Sequence, residues 1–462
     1  MTDSDTDFGP FAARLREAGM PELFVDVFGE QYGQLVAGET GLIPEDSIEP
    51  VRDLPDADDL ASVAPARAEE TQRTVVIKLN GGLGTGMGLD RAKSLLEVRD
   101  GLTFLDIMAL QAEHDGVPLV LMNSFATDAD SAAALASYPR VAPSIPLSFV
   151  QHQAPKVRQA DLRPVEHPAD RRLEWFPPGH GDLYTALLTS GVLDDLIAAG
   201  YRYAFVSNGD NLGAVLDPTI LGHFVDSGSP FMMEVADRTD SDRKGGHVAR
   251  TKSGGLVLRD SAQCPAGDRE AFADIERHRY FNTNNLWLDL ADLRALLRER
   301  GGRLGLPLIR NAKTVDPRDP SSTPVFQLET AMGSALSVID GARVVRVPRR
   351  RFAPVKHTSD LVTIRSDAFE LDDGYRLVPA PGRGAAPPNV VLDPHHFGFA
   401  SDLDERFPHG VPSLVCCDSL QVVGDVAFGR DVVLEGDVVI RNAGEERVVI
   451  PDGATISGET EL

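Results

Sequence analysis

The stretch 78–98, KLNGGLGTGMGLDRAKSLLEV, has five glycines between positions 81 and 88 and a lysine, Lys93, shortly after them. It continues a short β-branched run, TVVIKL, that begins at Thr74. A glycine-rich turn at the end of a strand exposes successive backbone N–H groups, which stabilise anionic oxygens. The pattern therefore predicts a strand, a phosphate-binding turn and one neighbouring cation.

Two common phosphate-binding loops do not match the spacing of this run. A Walker A loop requires a glycine, four further residues and then Gly-Lys-Ser/Thr. Lys93 and Ser94 supply the last pair, but the two glycine positions fall on Met87 and Ala92. The dinucleotide pattern GxGxxG also fails, because each start within the run ends on a residue other than glycine. The turn therefore belongs to another class of nucleotide-binding protein.

Short apolar runs alternate with helical patterns along the central part of the chain. Strands are predicted at 74–79, 117–122, 146–150, 202–206 and 230–236, and helices at 103–114, 127–136 and 182–199. Such alternation predicts an α/β fold with a mixed, mainly parallel sheet covered on both faces. Ligands bind such sheets beyond the carboxyl ends of the strands, where the glycine run lies.

The two ends of the chain differ from this centre. Residues 8–35 have helical spacing, and a Pro- and Asp-rich linker follows them. In the tail, Leu420, Val426, Val432 and Val438 recur every six residues, and Ile450 and Ile456 resume the step. This period is typical of a parallel β-helix, in which stacked coils bury apolar rungs. We expect three regions, with bounds 1–70, 71–385 and 386–462.

Composition limits the class of protein. The net charge of −25 argues against nucleic acid as a partner, because phosphate backbones require a basic face. Three cysteines without CxxC spacing indicate neither a disulfide framework nor a zinc site. The acidic N-terminus lacks an apolar signal region, and no apolar run approaches membrane-spanning length. These features predict a cytoplasmic protein with no membrane segment.

Longer motifs make a resemblance specific. The chain contains KLNGGLGTGMG, LMNSF (121–125), PPGHGDLYTAL (177–187), VSNGDNLGAVLD (206–217), FNTNNLWLDL (281–290), FQLETAMGSAL (326–336) and PVKHTSDLVTIRSD (354–367). Their order and spacing resemble those of the eukaryotic-type UTP–glucose-1-phosphate uridylyltransferases, also called UDP-glucose pyrophosphorylases. The resemblance implies a Rossmann-like catalytic domain at 71–385 and a left-handed β-helix at 386–462, which would carry homo-oligomer contacts.

The resemblance implies nucleotidyl transfer, in which glucose 1-phosphate attacks the α-phosphorus of UTP with Mg²⁺ as cofactor. The alternative within the same fold is a UDP-N-acetylhexosamine or broad-specificity UDP-sugar pyrophosphorylase. Relatives of that kind carry an arginine in the glycine loop and a glycine after the lysine. This chain has Gly86 and Ser94 at those positions, which favours glucose.

Specific residues follow from the matched motifs. The resemblance implies that Lys93 and Lys356 are the catalytic cations, and that Asp210, at the end of a predicted strand, binds the metal. It assigns UTP to Lys93, Asp210 and the uracil-reading Gln151, with backbone groups of Leu79, Asn80, Gly81, Gly82 and Gly179. Arg349, Arg350 and Arg351, which precede Lys356, are interpreted as surface charge.

The sugar phosphate requires several neutral hydrogen-bonding partners. The resemblance assigns this role to His180, Asn208, Asn282, Asn284 and Glu329, together with Lys356. Asn282 and Asn284 are two positions apart, a spacing that predicts one face of a strand.

Overall fold

The computed structural model describes residues 7–62, 65–142, 144–384 and 386–462. None of the helices in these ranges is long and apolar enough to cross a membrane. Thirteen α-helices are present in the described ranges: Gly9–Glu17, Glu22–Val36, Ala68–Gln72, Phe104–Asp115, Asp128–Leu135, Leu183–Thr189, Val192–Ala198, Pro218–Ser227, Arg269–Ala273, Leu290–Glu299, Thr358–Arg365, Pro394–Phe397 and Ala400–Arg406.

A ten-stranded sheet forms the centre of the described structure. Seven of its strands lie in the order Ile48–Pro50, His247–Thr251, Tyr280–Asp289, Tyr203–Asn208, Thr74–Asn80, Leu119–Asn123 and Ser148–Val150. The other three strands are Phe231–Asp237, Arg343–Arg346 and Leu256–Arg259. Phe231–Asp237 pairs with Tyr280–Asp289. Large apolar clusters cover the sheet, one around Phe205 and Trp287 and another around Ile77 and Leu286.

The five predicted strands all exist, and they run in one direction. The four around the glycine run pair in parallel with one another. Phe231–Asp237 has the same direction, but Tyr280–Asp289 lies between it and Tyr203–Asn208 and is antiparallel to both. The predicted α/β fold with a mixed central sheet is therefore confirmed. The carboxyl ends of the parallel strands meet at one edge, beside the glycine run.

One predicted helix is divided. The pattern at 182–199 contains two helices, Leu183–Thr189 and Val192–Ala198, instead of a single one. Gly191 between them has a φ of 81°, a left-handed conformation that ends the first helix and that glycine adopts without a steric penalty. The apolar periodicity continues across this break, so the sequence pattern did not reveal it.

The smaller strands surround the central sheet: Glu97–Arg99, Leu102–Thr103, Ala154–Pro155, Val157–Arg158, Trp175–Phe176, Ile309–Thr314, Pro324–Glu329, Phe369–Leu371 and Leu377–Pro379. The two N-terminal helices bury Phe11, Phe24 and Phe28 in a cluster that also contains Ala154 and Leu328. The helical segment predicted at 8–35 is therefore present as a helix pair. It packs on the part of the chain that carries the PPGHGD and FQLET motifs.

The C-terminal strands pair in parallel. They are Asn389–Leu392, Cys417–Val423, Val426–Phe428, Val433–Arg441, Val448–Ile450 and Thr455–Glu461. Leu420 lies opposite Val438 and Leu434 opposite Ile456 on neighbouring strands. All residues of the six-residue period are buried except Ile456, which is half-buried. The apolar period thus marks the side chains that face inward between parallel strands.

Candidate active site

The glycine run turns sharply at the end of Thr74–Asn80 and approaches a neighbouring strand. A Cβ atom on residue 81 would lie 2.6 Å from the Nε2 atom of Gln151, so glycine at this position lets the Gln151 amide pack directly against the turn. Gly84 has a φ of 66° and precedes a short 3-10 turn at Thr85–Met87. The backbone N–H of Lys93 then donates to the carbonyl of Gly82 at 3.0 Å. The loop therefore brings Lys93 back towards its own beginning and places the run against Gln151.

Lys93 and Asp210 form an ion pair at the carboxyl edge of the sheet. The Nζ atom of Lys93 lies 2.7 Å from Oδ2 of Asp210, and it also donates to the carbonyl of Val355. The side chains of Lys93 and Asp210 are 15% and 24% exposed, so solvent reaches both. The N–H of Val355 donates to the carbonyl of Asp210 at 3.1 Å. Three motifs that are distant in sequence therefore meet at this pair.

Lys78 lies within the strand before the glycine run and hydrogen-bonds to residues on both sides of Asp210 in sequence. Its Nζ atom donates to Oγ of Ser207 at 2.8 Å and to the carbonyl of Ala214 at 2.6 Å. These two acceptors flank Asp210 in sequence. Burial lowers the pKa of Lys78 to about 7, and the nearby Arg351 acts in the same direction.

The interpretation of the arginine cluster as surface charge is wrong for Arg351. Arg351 is 4% exposed and its guanidinium donates to both carboxylate oxygens of Glu234, at 2.7 and 2.9 Å. Glu234 is fully buried and also accepts from Asn285 and Trp287. A buried charge requires such partners, since desolvation is otherwise too costly. Lys78 interrupts the apolar run TVVIKL, in which every residue from Thr74 to Lys78 is buried, and this position was the available sequence signal for an interior lysine; no comparable signal marked Arg351.

The PPGHGD motif forms a tight turn against residues 329–332. The carbonyl of Thr330 accepts from the N–H of Gly181 at 2.8 Å, and a Cβ on Gly179 would lie 2.4 Å from that oxygen. Nδ1 of His180 accepts from the N–H of Met332 at 3.0 Å. Burial lowers the pKa of His180, which favours the neutral ring. Because Nδ1 accepts, the proton of the neutral ring lies on Nε2, and His180 presents a hydrogen-bond donor.

Asn282 and Asn284, which are predicted to contact the sugar, have neighbouring side chains. Their proximity does not result from the regular alternation of side chains along a strand. The register of Tyr280–Asp289 shifts between Asn282 and Asn285, which pair with neighbouring residues of the adjacent strand. Asn284 has a φ of 59°, which asparagine tolerates better than most residues. The two side chains hydrogen-bond to each other at 2.7 Å. A β-bulge, often found next to active sites, therefore shapes this part.

Glu329 ends the strand Pro324–Glu329 and lies next to Gly179. A Cβ on Gly179 would be 3.1 Å from Cβ of Glu329. Burial raises the pKa of Glu329, while a hydrogen bond from Asn311 acts in the opposite direction. Gly333 connects this group with Asn282, whose Nδ2 would lie 3.3 Å from a Cβ there. The predicted sugar-phosphate residues His180, Glu329 and Asn282 are therefore grouped around residues 329–333.

The remaining predicted residues occupy the strand ends. Asn208 is half-buried and ends its strand, and the carbonyl of Leu79 accepts from Gly209 at 2.9 Å. The side chain of Asn80 is buried and donates to Asn123 and Ser131, and its carbonyl accepts from Oγ1 of Thr127 at 2.7 Å. Lys356 is exposed, and its ammonium lies 5.9 Å from the centre of the Phe352 ring. Within the described ranges its ammonium has no carboxylate partner.

This arrangement has the chemistry of an anion site with a polar pocket beside it. A strand-end glycine turn, a half-buried lysine and a carboxylate lie together at the sheet edge, and Gln151 adjoins the turn. A second group of polar side chains, His180, Asn282, Asn284 and Glu329, lies around residues 329–333. The profile of the UTP–glucose-1-phosphate uridylyltransferase family matches residues 25–435. The chain belongs to this family.

Members of the family and solved structures cover nearly the whole chain. UTP–glucose-1-phosphate uridylyltransferase from Saccharomyces cerevisiae is 41% identical over 405 residues, 86% of this chain and 80% of that protein. The probable enzyme from Schizosaccharomyces pombe is 41% identical over 391 residues, 83% of this chain and 76% of that protein. A UDP-glucose pyrophosphorylase variant from Leishmania major in complex with UDP-glucose is 42% identical, has a TM-score of 0.93 and covers both chains completely. The UDP-glucose phosphorylase structure from Trypanosoma brucei is 44% identical with a TM-score of 0.90, and the match covers 98% of this chain and 99% of that one.

Proposed function

We propose that the protein forms UDP-glucose and pyrophosphate from UTP and glucose 1-phosphate. The observation that carries this proposal is the Lys93–Asp210 pair beside the glycine turn, at the carboxyl edge of the sheet. Glucose 1-phosphate is already an anion at neutral pH, so its attack requires no general base. The obstacle is repulsion between two polyanions, which positioning and fixed positive groups overcome.

In the proposed reaction, a phosphate oxygen of glucose 1-phosphate bonds to the α-phosphorus of UTP. The bond from that phosphorus to the pyrophosphate oxygen breaks, and the electron pair leaves with pyrophosphate. N–H groups of Gly81 and Gly82 hold phosphate oxygens, and Lys93 exchanges its contact with Asp210 for the triphosphate. Lys356, which is exposed and unpaired in the described part of the chain, adds charge where the two phosphates meet.

The donor set at this site fits Mg²⁺. Among the described residues, no group of three or more His, Cys, Asp or Glu side chains forms a metal cage. Mg²⁺ uses one or two carboxylates together with substrate phosphates and water, so Asp210 with a triphosphate is sufficient. We propose Asp210 as the protein ligand. When bound, the metal supplies charge neutralisation at the phosphates.

The uracil base and the sugar phosphate are assigned to two different groups of residues near the Lys93–Asp210 pair. We propose that the amide of Gln151 reads uracil, with backbone groups of Leu79, Asn80 and Gly179. Nε2–H of His180 and the side chains of Asn208, Asn282, Asn284 and Glu329 then contact the sugar phosphate. Contacts between Gly81 and Gln151, and between His180 and Met332, support these two groups.

An assay of pyrophosphate release tests the proposal. Purified protein with Mg²⁺, UTP and glucose 1-phosphate is expected to release pyrophosphate and form UDP-glucose. Parallel reactions replace the sugar with N-acetylglucosamine 1-phosphate or galactose 1-phosphate, and UTP with other nucleoside triphosphates. Activity with the N-acetyl sugar but not with glucose 1-phosphate would assign the chain to the alternative pyrophosphorylases and refute the proposal.

We also propose that 1–70 is a helical segment and linker, 71–385 the catalytic domain, and 386–462 a left-handed β-helix through which the protein forms homo-oligomers. The parallel pairing of Leu420 with Val438, three six-residue steps apart, supports the β-helix. The three free cysteines suit a reducing compartment, and we propose a cytoplasmic location.

Val449 is 61% exposed on the outer C-terminal strands, so Val449→Asp is expected to reduce the molar mass measured by light scattering. An unchanged mass would remove this surface from the proposed contact.

A further inference from the structure

A buried histidine–aspartate pair joins the two halves of the proposed site. The carboxylate of Asp182 accepts the backbone N–H of His152 at 2.7 Å and contacts ring atom Nδ1 at 2.8 and 3.0 Å. The side chains of His152 and Asp182 are 6% and 3% exposed. Neither residue contacts the glycine turn or the Lys93–Asp210 pair through a hydrogen bond in the described structure. The pair therefore lies behind the site, not in it.

The neighbours of the pair connect it with both substrates. His152 directly follows Gln151, whose own N–H donates to the carbonyl of Asn123 at 2.8 Å. Asp182 is the last residue of the turn His180–Asp182, which carries the proposed sugar-phosphate donor. One carboxylate thus ties the strand end that carries Gln151 to the PPGHGD turn.

The histidine ring is held on its other sides as well. Phe24 of the N-terminal helix Glu22–Val36 stacks on it with a centroid distance of 4.3 Å and an interplanar angle of 12°. Nε2 lies 3.1 Å from Oγ1 of Thr189. The ring is therefore held by contacts on three sides, and the backbone at 151–152 is held by hydrogen bonds to Asn123 and Asp182.

The orientation of Gln151 decides which base it can read. Uracil offers an N–H at N3 and an oxygen at C4, whereas cytosine offers an acceptor at N3 and an amino group at C4. A glutamine amide carries one donor and one acceptor, and rotation by 180° exchanges them. A freely rotating amide would therefore pair with either base. Discrimination requires an amide that is held in one orientation.

We propose that Asp182 is a positioning residue for base selection: through His152 it holds the backbone of Gln151 where the side-chain amide packs with Nε2 against Gly81, and this placement accepts uracil and rejects cytosine. This inference rests on the proposed function. A buried pair of polar side chains such as this one contributes little net stability compared with well-packed apolar residues. Its contribution here is to geometry, and the N-terminal helix takes part in it through Phe24.

The variant Asp182→Asn keeps the shape of the side chain but removes its charge. We expect the KM for UTP to rise about tenfold, since hydrogen bonds to charged groups are roughly twice as strong as neutral ones. The ratio of kcat/KM for UTP to that for CTP is expected to fall by about the same factor, while kcat with UTP stays within about threefold. Asp170→Asn is the matched control, because Asp170 is half-buried, remote from these contacts and pairs with Arg172.

Two further variants keep the proposal falsifiable if Asp182→Asn does not fold. Phe24→Leu and His152→Asn leave the carboxylate in place and are expected to shift the UTP-to-CTP ratio in the same direction. An unchanged ratio in folded variants, or an equal loss of kcat with both nucleotides, would overturn the proposal. Calorimetric affinities for UTP and CTP without sugar phosphate make this outcome independent of the reaction. Wild-type protein that binds UTP over CTP but releases no pyrophosphate would refute only the proposed function.

Discussion

Lys78 and Lys93 lie on either side of the same glycine run, yet the fold gives them different surroundings. Lys78 is 2% exposed and donates to a serine hydroxyl and a backbone carbonyl. Lys93 is accessible to solvent and pairs with a carboxylate. One lysine fastens the loop that carries Asp210, and the other is available to a phosphate. Two lysines of one glycine-rich motif therefore differ in burial and in partner, and of the two it is Lys93 whose ammonium solvent reaches.

The substitution Lys93→Met is expected to have the largest effect on activity. It removes a cation from the proposed triphosphate site, and loss of one such electrostatic contact costs roughly 10²- to 10³-fold in turnover. The free energy of unfolding should fall by about 1 kcal/mol, because solvent reaches both partners of this partly buried pair and can hydrate Asp210 once the lysine is removed. Steady-state kinetics and thermal unfolding measure the two effects. Lys252→Met, an exposed lysine on a turn, is the control. Equal losses of activity and stability would place Lys93 with Lys78.

Lys356→Ala extends the comparison to a third lysine, which is fully accessible. We expect turnover to fall by roughly 10- to 100-fold, since the ammonium is proposed to act where charge develops between the two phosphates. The affinity for UTP measured by calorimetry should change far less, because Lys93 and the glycine turn remain. If UTP affinity and turnover fell together, Lys356 would be a binding residue rather than a catalytic one.

The substitution Lys78→Met tests the structural role of Lys78. Methionine fills a similar volume but cannot donate to Ser207 or to the carbonyl of Ala214. Leaving buried acceptors unpaired costs about 1–3 kcal/mol, and we expect this loss in the free energy of unfolding measured by urea denaturation. Turnover should fall less than in Lys93→Met, because no phosphate contact is removed. A loss of activity at unchanged stability would contradict the structural role.

The smallest expected effect concerns pH. The pKa of Lys78 is lowered to about 7 in the folded protein, whereas in the unfolded chain it is close to 10.5. Between these values the unfolded chain binds one proton more than the folded one, so stability rises with pH. The cost of the buried charge is complete below pH 7 and is relieved as pH increases towards 10.5. From pH 7 to 9, wild type should gain about 1 kcal/mol per pH unit relative to Lys78→Met in urea unfolding. Parallel curves for the two proteins would contradict the lowered pKa.

Much of the fold could be predicted from local patterns. The β-branched runs gave all five strands, because strands buried on both faces are continuous apolar segments. The six-residue period marked the inward positions of the C-terminal strands. The break at Gly191 was missed because a single glycine can be accommodated within a helical pattern. The bulge at Asn284 was missed because a register shift depends on the partner strand, which lies about fifty residues earlier in the chain.

The features of the candidate site can likewise be divided into those that the sequence indicated and those that it did not. The glycine spacing alone excluded two common nucleotide loops, and the motifs implied Lys93, Asp210 and Gln151. The sequence could not indicate that Lys93 and Asp210 pair with each other, or that Glu234 neutralises Arg351. These contacts join residues more than a hundred positions apart. Pairing of this kind depends on three-dimensional packing and leaves no local pattern.

The sequence by itself determined the strand order along the chain, the glycine-rich turn and the residue types proposed for nucleotidyl transfer, because these depend on local spacing and chemistry. Only the tertiary structure decided which charged groups are available to a substrate. Burial and partner geometry made Lys78 a structural donor, turned Arg351 into half of a buried ion pair and placed Asp182 behind Gln151. The physical reason is that desolvation and hydrogen bonding act on a side chain through all its neighbours in space.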